Sequence, residues 1–397
     1  MRTAVMLLAI IAALSVIATM LPQRPLQPQR VSAYLQSHPQ LGRIFDRLGL
    51  FAVYESWWLI AAALLMYISL GHCVLVRGRA LFMRWRKGLP RNAQFIGEGG
   101  SLLFHLSFFV LLFGVLWGKA NGFTAFVNVL EGQSVVEARP SYDQIEEGYL
   151  FSPPQHKGFE VRVDSFNASY YGDGRPKDFV THAEVFDQGQ RVTEKDIRVN
   201  QYLNYEGVKF YQANYGWAPV IRVTDAMGHR VFDGPVLFFG DPAFANGVVK
   251  IPASGSPGQQ LGARAFFLPD VKVVAGGATA GSADLKNPLL DLAFFKGDLH
   301  ADQPQNVYDL DVSQMKQVDT VLLPLGQSRT IPGGFTVTFP NLMRYTGLQV
   351  TDDPGVPIIW AAFGLLLTGL LVRLYLASWL HWREERSAPV PHALVVA

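Results

Sequence analysis

The chain has 397 residues, of which 49% are hydrophobic and 17% charged, and its net charge at neutral pH is +2. That balance is too apolar for an ordinary soluble protein and too polar for one embedded in a bilayer throughout, and near-neutrality offers no electrostatic case for nucleic acid as a partner. The single cysteine, Cys73, excludes an intrachain disulfide, a CxxC redox pair, a CxxCH attachment motif and a cysteine zinc cluster.

The first apolar run, Ala4 to Leu21, comes after Arg2 and stops at Pro22. It reads as an uncleaved membrane anchor with a cytoplasmic N-terminus, although a cleaved signal peptide shares its basic start and apolar middle. A polar, proline-containing linker comes next. Within it, residues 31–50 set Tyr34, Leu35, Leu41, Ile44, Phe45 and Leu48 among arginines, the pattern of a short amphipathic helix lying on a membrane surface.

Trp57 to Val76 is a second membrane pass, with Trp57 and Trp58 suited to an interfacial belt. It runs into Arg77, Arg79, Arg84, Arg86, Lys87 and Arg91, the most basic loop of the chain, which the positive-inside rule places in the cytoplasm. The loop before this pass is basic too, with Arg24, Arg30, Arg43 and Arg47, but those charges are fewer and more dispersed. The third pass, Gly100 to Gly118, then runs outward carrying His105, and the residues after Lys119 emerge on the far side.

Residues 119–355 contain no membrane-length apolar run. Period-two segments such as Glu160 to Phe166, Ala218 to Thr224, Val248 to Ile251, Val271 to Val274 and Phe335 to Phe339 read as strands. Turn signals separate them, including Gly172-Asp173-Gly174, Ala226-Met227-Gly228 and Pro332-Gly333-Gly334, while Gly276 to Ser282 reads as a flexible loop. This is an all-β domain, a sandwich or open barrel, large enough to bury its own core and to divide into two lobes. A last pass, Val356 to about Leu376, comes after Asp352-Asp353-Pro354-Gly355 and ends near Trp379, His381, Trp382 and Arg383, with Arg373 able to snorkel toward headgroups.

The fold class is therefore membrane α plus β: four transmembrane helices with a large all-β extracytoplasmic domain. The domains are 1–118 with three passes, 119–355 as the β-rich domain, and 356–397 as the fourth pass and a cytoplasmic tail.

An imidazole inside a membrane helix is costly unless it faces protein, water or a metal, which makes His105 the first functional candidate. Three roles stay open for it: proton relay, interhelical hydrogen bonder, or ligand to a cofactor iron. Phe104, Phe108 and Phe109 offer aromatic surface that suits a flat ring, and Ser107 allows close approach. His72 and Cys73 fall at a comparable depth and read as an interfacial residue and a small buried one. His156, His182, His229 and His300 are scattered without HxH or HExxH spacing and read as surface or ordinary core residues. GxSxG, P-loop and strand-linked GxGxxG motifs are absent, so no catalytic residue is assigned, and binding or scaffolding is favoured over autonomous catalysis.

Four segments carry a resemblance: Arg2 to Gln23, the FHLSFFVLLFGVLWG run from Phe104, Ile197 to Gly216 (IRVNQYLNYEGVKFYQANYG), and Thr346 to Trp360 (TGLQVTDDPGVPIIW). Together they resemble the ResB/Ccs1 (CcsB) family of cytochrome c biogenesis proteins, in the family's order, and the likeness is poorest from about Pro235 to Pro324, where a species-specific lobe is expected. The resemblance implies a bacterial inner-membrane protein with its large domain in the periplasm. It implies a complex with a ResC/CcsA-type partner that moves haem outward and attaches it by thioether bonds to apocytochrome c. The tryptophan-rich WWD motif belongs to that partner and has no counterpart here, so the attachment site is assigned to the partner. His105 matches the family's membrane histidine and is implied to be one axial ligand of haem b, the other coming from the partner. A thioredoxin-like thiol reductant is a further implied participant, since one cysteine makes this chain a poor reductant. The competing expectation is a structural scaffold that stabilises the synthase and presents apocytochrome without binding haem. In the central motif Asn200, Tyr205, Gly207, Tyr211 and Gln212 read as structural, with Asn204 to Gly207 forming a strand-joining turn.

Overall fold

The computed structural model describes residues 2–24, 28–90, 92–171, 175–256, 258–274, 277–301 and 308–387. They form two compact units, one of residues 1–116 with 355–397 and one of residues 117–354. The Gly172-Asp173-Gly174 turn lies outside the described residues.

The helical unit contains α1 (Arg2–Met20), α2 (Pro28–Ser37), α3 (Pro39–Arg47), α4 (Trp57–Arg86), α5 (Ala93–Asn121), α6 (Val356–Leu371) and α7 (Ala377–Ser387). A π-helical segment, Val372–Leu376, joins the last two, so the helical path from Val356 to Arg386 is continuous. Among the described residues, α4, α5 and that last path are long and apolar enough to span a bilayer. The N-terminal apolar helix is shorter. Its side chains Ile11, Leu14 and Ala18 pack with Val53, in the turn before α4, and with Trp58 and Leu59 at the start of α4.

Two expectations change here. The single amphipathic helix of residues 31–50 is two short helices, broken at His38 because Pro39 lacks the N–H needed to continue a helix and suits the first turn of a new one. Tyr34, Phe45 and Phe51 pack against one another across that break, at centroid distances of 5.5 to 6.4 Å, while Leu41, Ile44 and Leu48 remain exposed. The basic stretch Arg77–Arg86 is not a loop but the last ten residues of α4, and two of its arginines, Arg77 and Arg84, are used for packing. Arg77 donates to Ser101 Oγ at 2.6 Å, and Arg84 reaches Glu98 at 3.4 Å and Asn92 at 3.3 Å while lying over the Phe95 ring.

The other unit is built of strands. Its first half holds β1 (Phe123–Leu130), β2 (Ser134–Val136), β3 (Gln144–Glu147), β4 (Glu160–Tyr170), β5 (Pro176–Asp187), β6 (Gln190–Arg198), β7 (Leu203–Tyr205), β8 (Val208–Thr224) and β9 (Arg230–Pro235). Its second half holds β10 (Phe239–Asp241), β11 (Phe244–Ile251), β12 (Gln260–Leu268), β13 (Val271–Val274), β14 (Gly277–Ala280), β15 (Leu289–Gly297), β16 (Lys316–Pro324), β17 (Ser328–Ile331) and β18 (Phe335–Asp352). The pairings are antiparallel. A seven-stranded sheet runs β3-β1-β18-β8-β7, with β17 on β18 and β9 on β8. A four-stranded sheet runs β2-β4-β5-β6 and a five-stranded sheet β10-β11-β12-β15-β16. The glycine-rich stretch expected to be a loop is, over Gly277–Ala280, a strand paired with β13.

The long strands β8 and β18 explain the two lobes. Paired from Thr224↔Thr336 to Lys209↔Thr351, they carry inward side chains into two separate cores. Phe210, Leu348 and Val350 meet Val161, Val163, Ala183 and Val185 of the four-stranded sheet. Ile221, Val223, Val337 and Phe339 meet Ala263, Phe267, Leu292 and Phe294 of the five-stranded sheet. Each fully buried Val, Leu, Ile or Phe side chain among these contributes roughly 1.5–3 kcal/mol. The segment of poorest resemblance is thus a folded sheet with a share of one of the two cores. The Asn204 to Gly207 turn is present: Tyr205 pairs with Val208 across Glu206 and Gly207, whose φ values of 49° and 89° suit a two-residue hairpin loop.

Candidate functional site

His105 sits on α5, and the start of that helix is well defined. Asn92 Oδ1 accepts the Phe95 N–H at 3.1 Å as an N-cap, and Glu384 of α7 accepts the Ala93 N–H at 2.9 Å. From there α5 presents two faces to neighbouring helices. Toward α6 it presents Gly97, Gly100 and Gly114. A Cβ on Gly100 would lie 2.8 Å from the Arg373 backbone nitrogen, and one on Gly369 would lie 2.5 Å from that of Phe104. The two helices therefore touch backbone to backbone, the packing that small residues permit inside membranes. Ser107, on the same stripe, is buried and returns its hydroxyl to the Phe104 carbonyl at 2.7 Å.

Toward α4, the stripe is Phe95, Glu98, Ser101, Leu102 and Phe109. Phe109 lies edge-on to Tyr67 at 5.7 Å and under Gly71, while Leu102 lies against Gly78. His105 is one turn beyond Ser101 and one turn before Phe109, so it belongs to this stripe. Phe109 is accordingly committed to helix packing. Phe104 stands edge-on to the His105 ring at 5.5 Å and to Phe108 at 5.4 Å.

The ring is oriented by its own helix. His105 Nδ1 lies 2.5 Å from the Ser101 carbonyl oxygen. A carbonyl can only accept, so Nδ1 carries the hydrogen and Nε2 of the neutral ring keeps its lone pair. The same residue, Ser101, is held through its hydroxyl by Arg77. This is the tautomer of a metal-ligating imidazole whose other nitrogen is tied to backbone. The same bond also serves an imidazole that only satisfies itself within a helix. The geometry therefore fits an Nε2 ligand to iron and equally an Nε2 proton acceptor.

The other histidines go elsewhere. His72 and Cys73 are level with His105, because Gly71 meets Phe109 and Gly78 meets Leu102, but neither residue joins its hydrogen-bonded group. His381 lies on α7 beside Glu385 at 3.2 Å. In the β unit His182 bonds Asp196 at 2.9 Å and His229 bonds Asp225 at 3.1 Å. His156 departs from the expected surface or plain core role. Its side chain is 7% exposed and held between two carboxylates, Nδ1 to Glu137 at 2.6 Å and Nε2 to Glu147 at 3.4 Å. No spacing rule links residues so far apart in the chain.

In the central motif, Gln212 bonds Thr181 Oγ1 at 2.5 Å and Thr346 Oγ1 at 2.9 Å, and Tyr205 donates to Asp187 at 3.1 Å. The Gln212 contacts fasten β8 to β5 and β18, and the Tyr205 contact fastens β7 to β5. Asn200 stands in the left-handed region at φ 64°.

The profile of the ResB-like family matches residues 1–98 and 94–388, the second stretch running through the five-stranded lobe. Among curated proteins the chain is similar to cytochrome c biogenesis protein CcsB of Synechococcus sp., 25% identical over 431 residues that cover 94% of this chain and 82% of the relative. Proteins of the same name from Nostoc sp. and Gloeobacter violaceus are each 26% identical, covering 94% and 93% of this chain and 82% and 80% of their own lengths. With a profile match that takes in both the helical unit and the β unit, this chain belongs to the ResB-like family.

Proposed function

We propose that this chain is the haem-handling membrane subunit of a system II cytochrome c synthase, acting with a ResC/CcsA-type partner in a bacterial inner membrane. Membership of the ResB-like family and similarity to proteins named for cytochrome c biogenesis support a role in cytochrome c maturation. The observation that carries the haem assignment is the His105 imidazole in an apolar helix, its Nδ1–H bonded to the Ser101 carbonyl and its Nε2 lone pair left for a ligand.

In this reading His105 Nε2, together with an imidazole of the partner, would hold the haem iron. Haem, when bound, would supply that iron and the vinyl groups to which the apocytochrome thiols add. The chain's own groups do the positioning. Ser101 fixes the ring, Arg77 fixes Ser101, and the glycine contacts between α5 and α6 hold the helix that carries them. α1 completes a fourth pass: its 19 residues at about 1.5 Å each come close to the roughly 30 Å of a hydrocarbon core. The β unit lies on the periplasmic side and receives apocytochrome c, while the thioether attachment site and the thiol reductant belong to other proteins.

The test is the absorption spectrum of the complex purified with its partner. The expected result is a Soret band with low-spin bis-histidine character that His105→Ala strongly reduces, and that added imidazole restores in His105→Gly. Unchanged haem content in both variants, with cytochrome maturation intact, would instead make the chain a structural scaffold of the synthase.

A further inference from the structure

A concave site lies in the β unit, where β4, β8 and β18 converge. It is a cavity of about 230 Å³ lined by Phe166, Tyr170, Tyr215, Trp217, Asp284 and Arg344. Register brings it about. Arg344 of β18 is directly opposite Trp217 of β8, and its guanidinium lies over the indole ring at 4.8 Å. Phe166 stacks on Tyr215 at 5.0 Å, and the Tyr170 and Tyr215 hydroxyls hydrogen-bond to each other. Gly216 is required behind them, because a Cβ there would strike the Tyr345 ring at 2.5 Å.

Two features of this cavity call for a ligand. Arg344 is half-buried, and among the described residues its guanidinium meets the face of Trp217 and no carboxylate within ion-pair distance. The acid on the rim, Asp284, is already paired with Lys286 at 3.1 Å, and Asp241, farther out, accepts the Ala243 N–H. The two phenols also hold a spare donor. Burial pushes both upward in pKa, so both are protonated at neutral pH, and only one of their two protons is used in the bond between them.

The geometry points to a carboxylate-binding pocket, in which the Arg344 guanidinium and one phenol O–H take the anion and the aromatic walls take the stem that bears it. A guanidinium prebuilt against an indole is well suited to a planar two-oxygen anion. The volume sets the scale of the ligand. It is below the roughly 300–1,000 Å³ of drug-sized sites, so it admits one acidic side chain or one carboxylate arm of a larger molecule and excludes a whole macrocycle. The assignment does not depend on the role of His105.

The experiment uses the full-length protein in a neutral detergent and saturation-transfer NMR with two probes, 3-phenylpropionate and N-acetyl-glutamate N-methylamide. Binding of either is expected, with Arg344→Gln weakening it at least tenfold, Arg344→Lys weakening it less, and 3-phenylpropionamide not binding. The tighter of the two probes identifies the source, an arene-borne carboxylate or a polypeptide acid. Should Arg344→Gln fail to fold, the double variant Tyr170→Phe with Tyr215→Phe, which removes both hydroxyls, carries the test with an expected loss of severalfold, and unchanged affinity there would overturn the assignment. Failure of both probes to bind, equal binding of the amide, or affinity unchanged in folded Arg344→Gln would overturn the assignment.

Discussion

Glu137 is the side chain on which one corner of the β unit depends, and its removal can be worked through from the contacts. It is 1% exposed, yet its carboxylate is fully engaged. Oε1 accepts from His156 Nδ1 at 2.6 Å and from the Tyr142 hydroxyl at 3.3 Å, and Oε2 accepts from the Lys157 N–H and from the Gly158 N–H at 3.3 Å. Phe123 and Phe151 close over His156, each with a centroid separation of 5.1 Å. In Glu137→Ala four donors lose their acceptor inside that aromatic shell. An unsatisfied buried group costs about 1–3 kcal/mol. Water entering the space left by the carboxyl recovers part of the sum, which brings the net to about 3–5 kcal/mol, the range for breaking a buried pair from one side. Glu137→Gln keeps the shape and one acceptor oxygen but turns an amide N–H₂ toward donors, so about half that loss is expected. The assay is pulse proteolysis of the full-length protein in mild detergent, with cleavage after Lys157 as the local reporter. At about 1.4 kcal/mol per factor of ten, the alanine variant should open roughly a hundredfold to a few thousandfold more often than wild type. A change below tenfold, or a glutamine variant as unstable as the alanine one, would refute the view that this carboxylate organises the cluster.

Two further outcomes are expected. Gly369→Ala places a methyl 2.5 Å from the Phe104 backbone nitrogen and forces α5 and α6 apart, so the detergent-solubilised protein should lose about 1–3 kcal/mol and melt earlier, whereas Gly364→Ala, where the space is open, should melt like wild type. The hydrogen bond to Asp196 holds the His182 imidazole above its ordinary pKa, and the bond from His182 holds the Asp196 carboxyl below its own. The stability this pair contributes is therefore present between about pH 4 and pH 6.5 and is lost on either side. It fades above that window as pH rises through the raised His182 value, and below it as pH falls through the lowered Asp196 value. Both groups are well exposed, so the effect is under about 1 kcal/mol. A stability-versus-pH profile in which His182→Asn keeps the same alkaline decline as wild type would remove this pair as its source.

What sequence could determine here is what neighbours along the chain decide. Apolar runs of bilayer length identify α4, α5 and the α6 path because each such helix satisfies its backbone internally. Alternation in Glu160 to Phe166 or Ala218 to Thr224 marks strands because successive side chains face opposite ways. The Glu206-Gly207 turn is readable because both residues must adopt positive φ. Even the anchor of His105 is local, the carbonyl four residues back, although nothing in the letters says which rotamer the ring takes. The remainder rests on contacts between residues distant in sequence. Arg77 meets Ser101 only because α4 and α5 pack with Gly71 against Phe109 and Gly78 against Leu102, and that packing turns an apparent basic loop into ten more residues of helix. Glu137 finds His156 across 19 residues, and Arg344 finds Trp217 across the β8–β18 register. A charge read from sequence has no address until the backbone closes around it. Its desolvation then requires a partner, and only the tertiary structure decides which one is within reach.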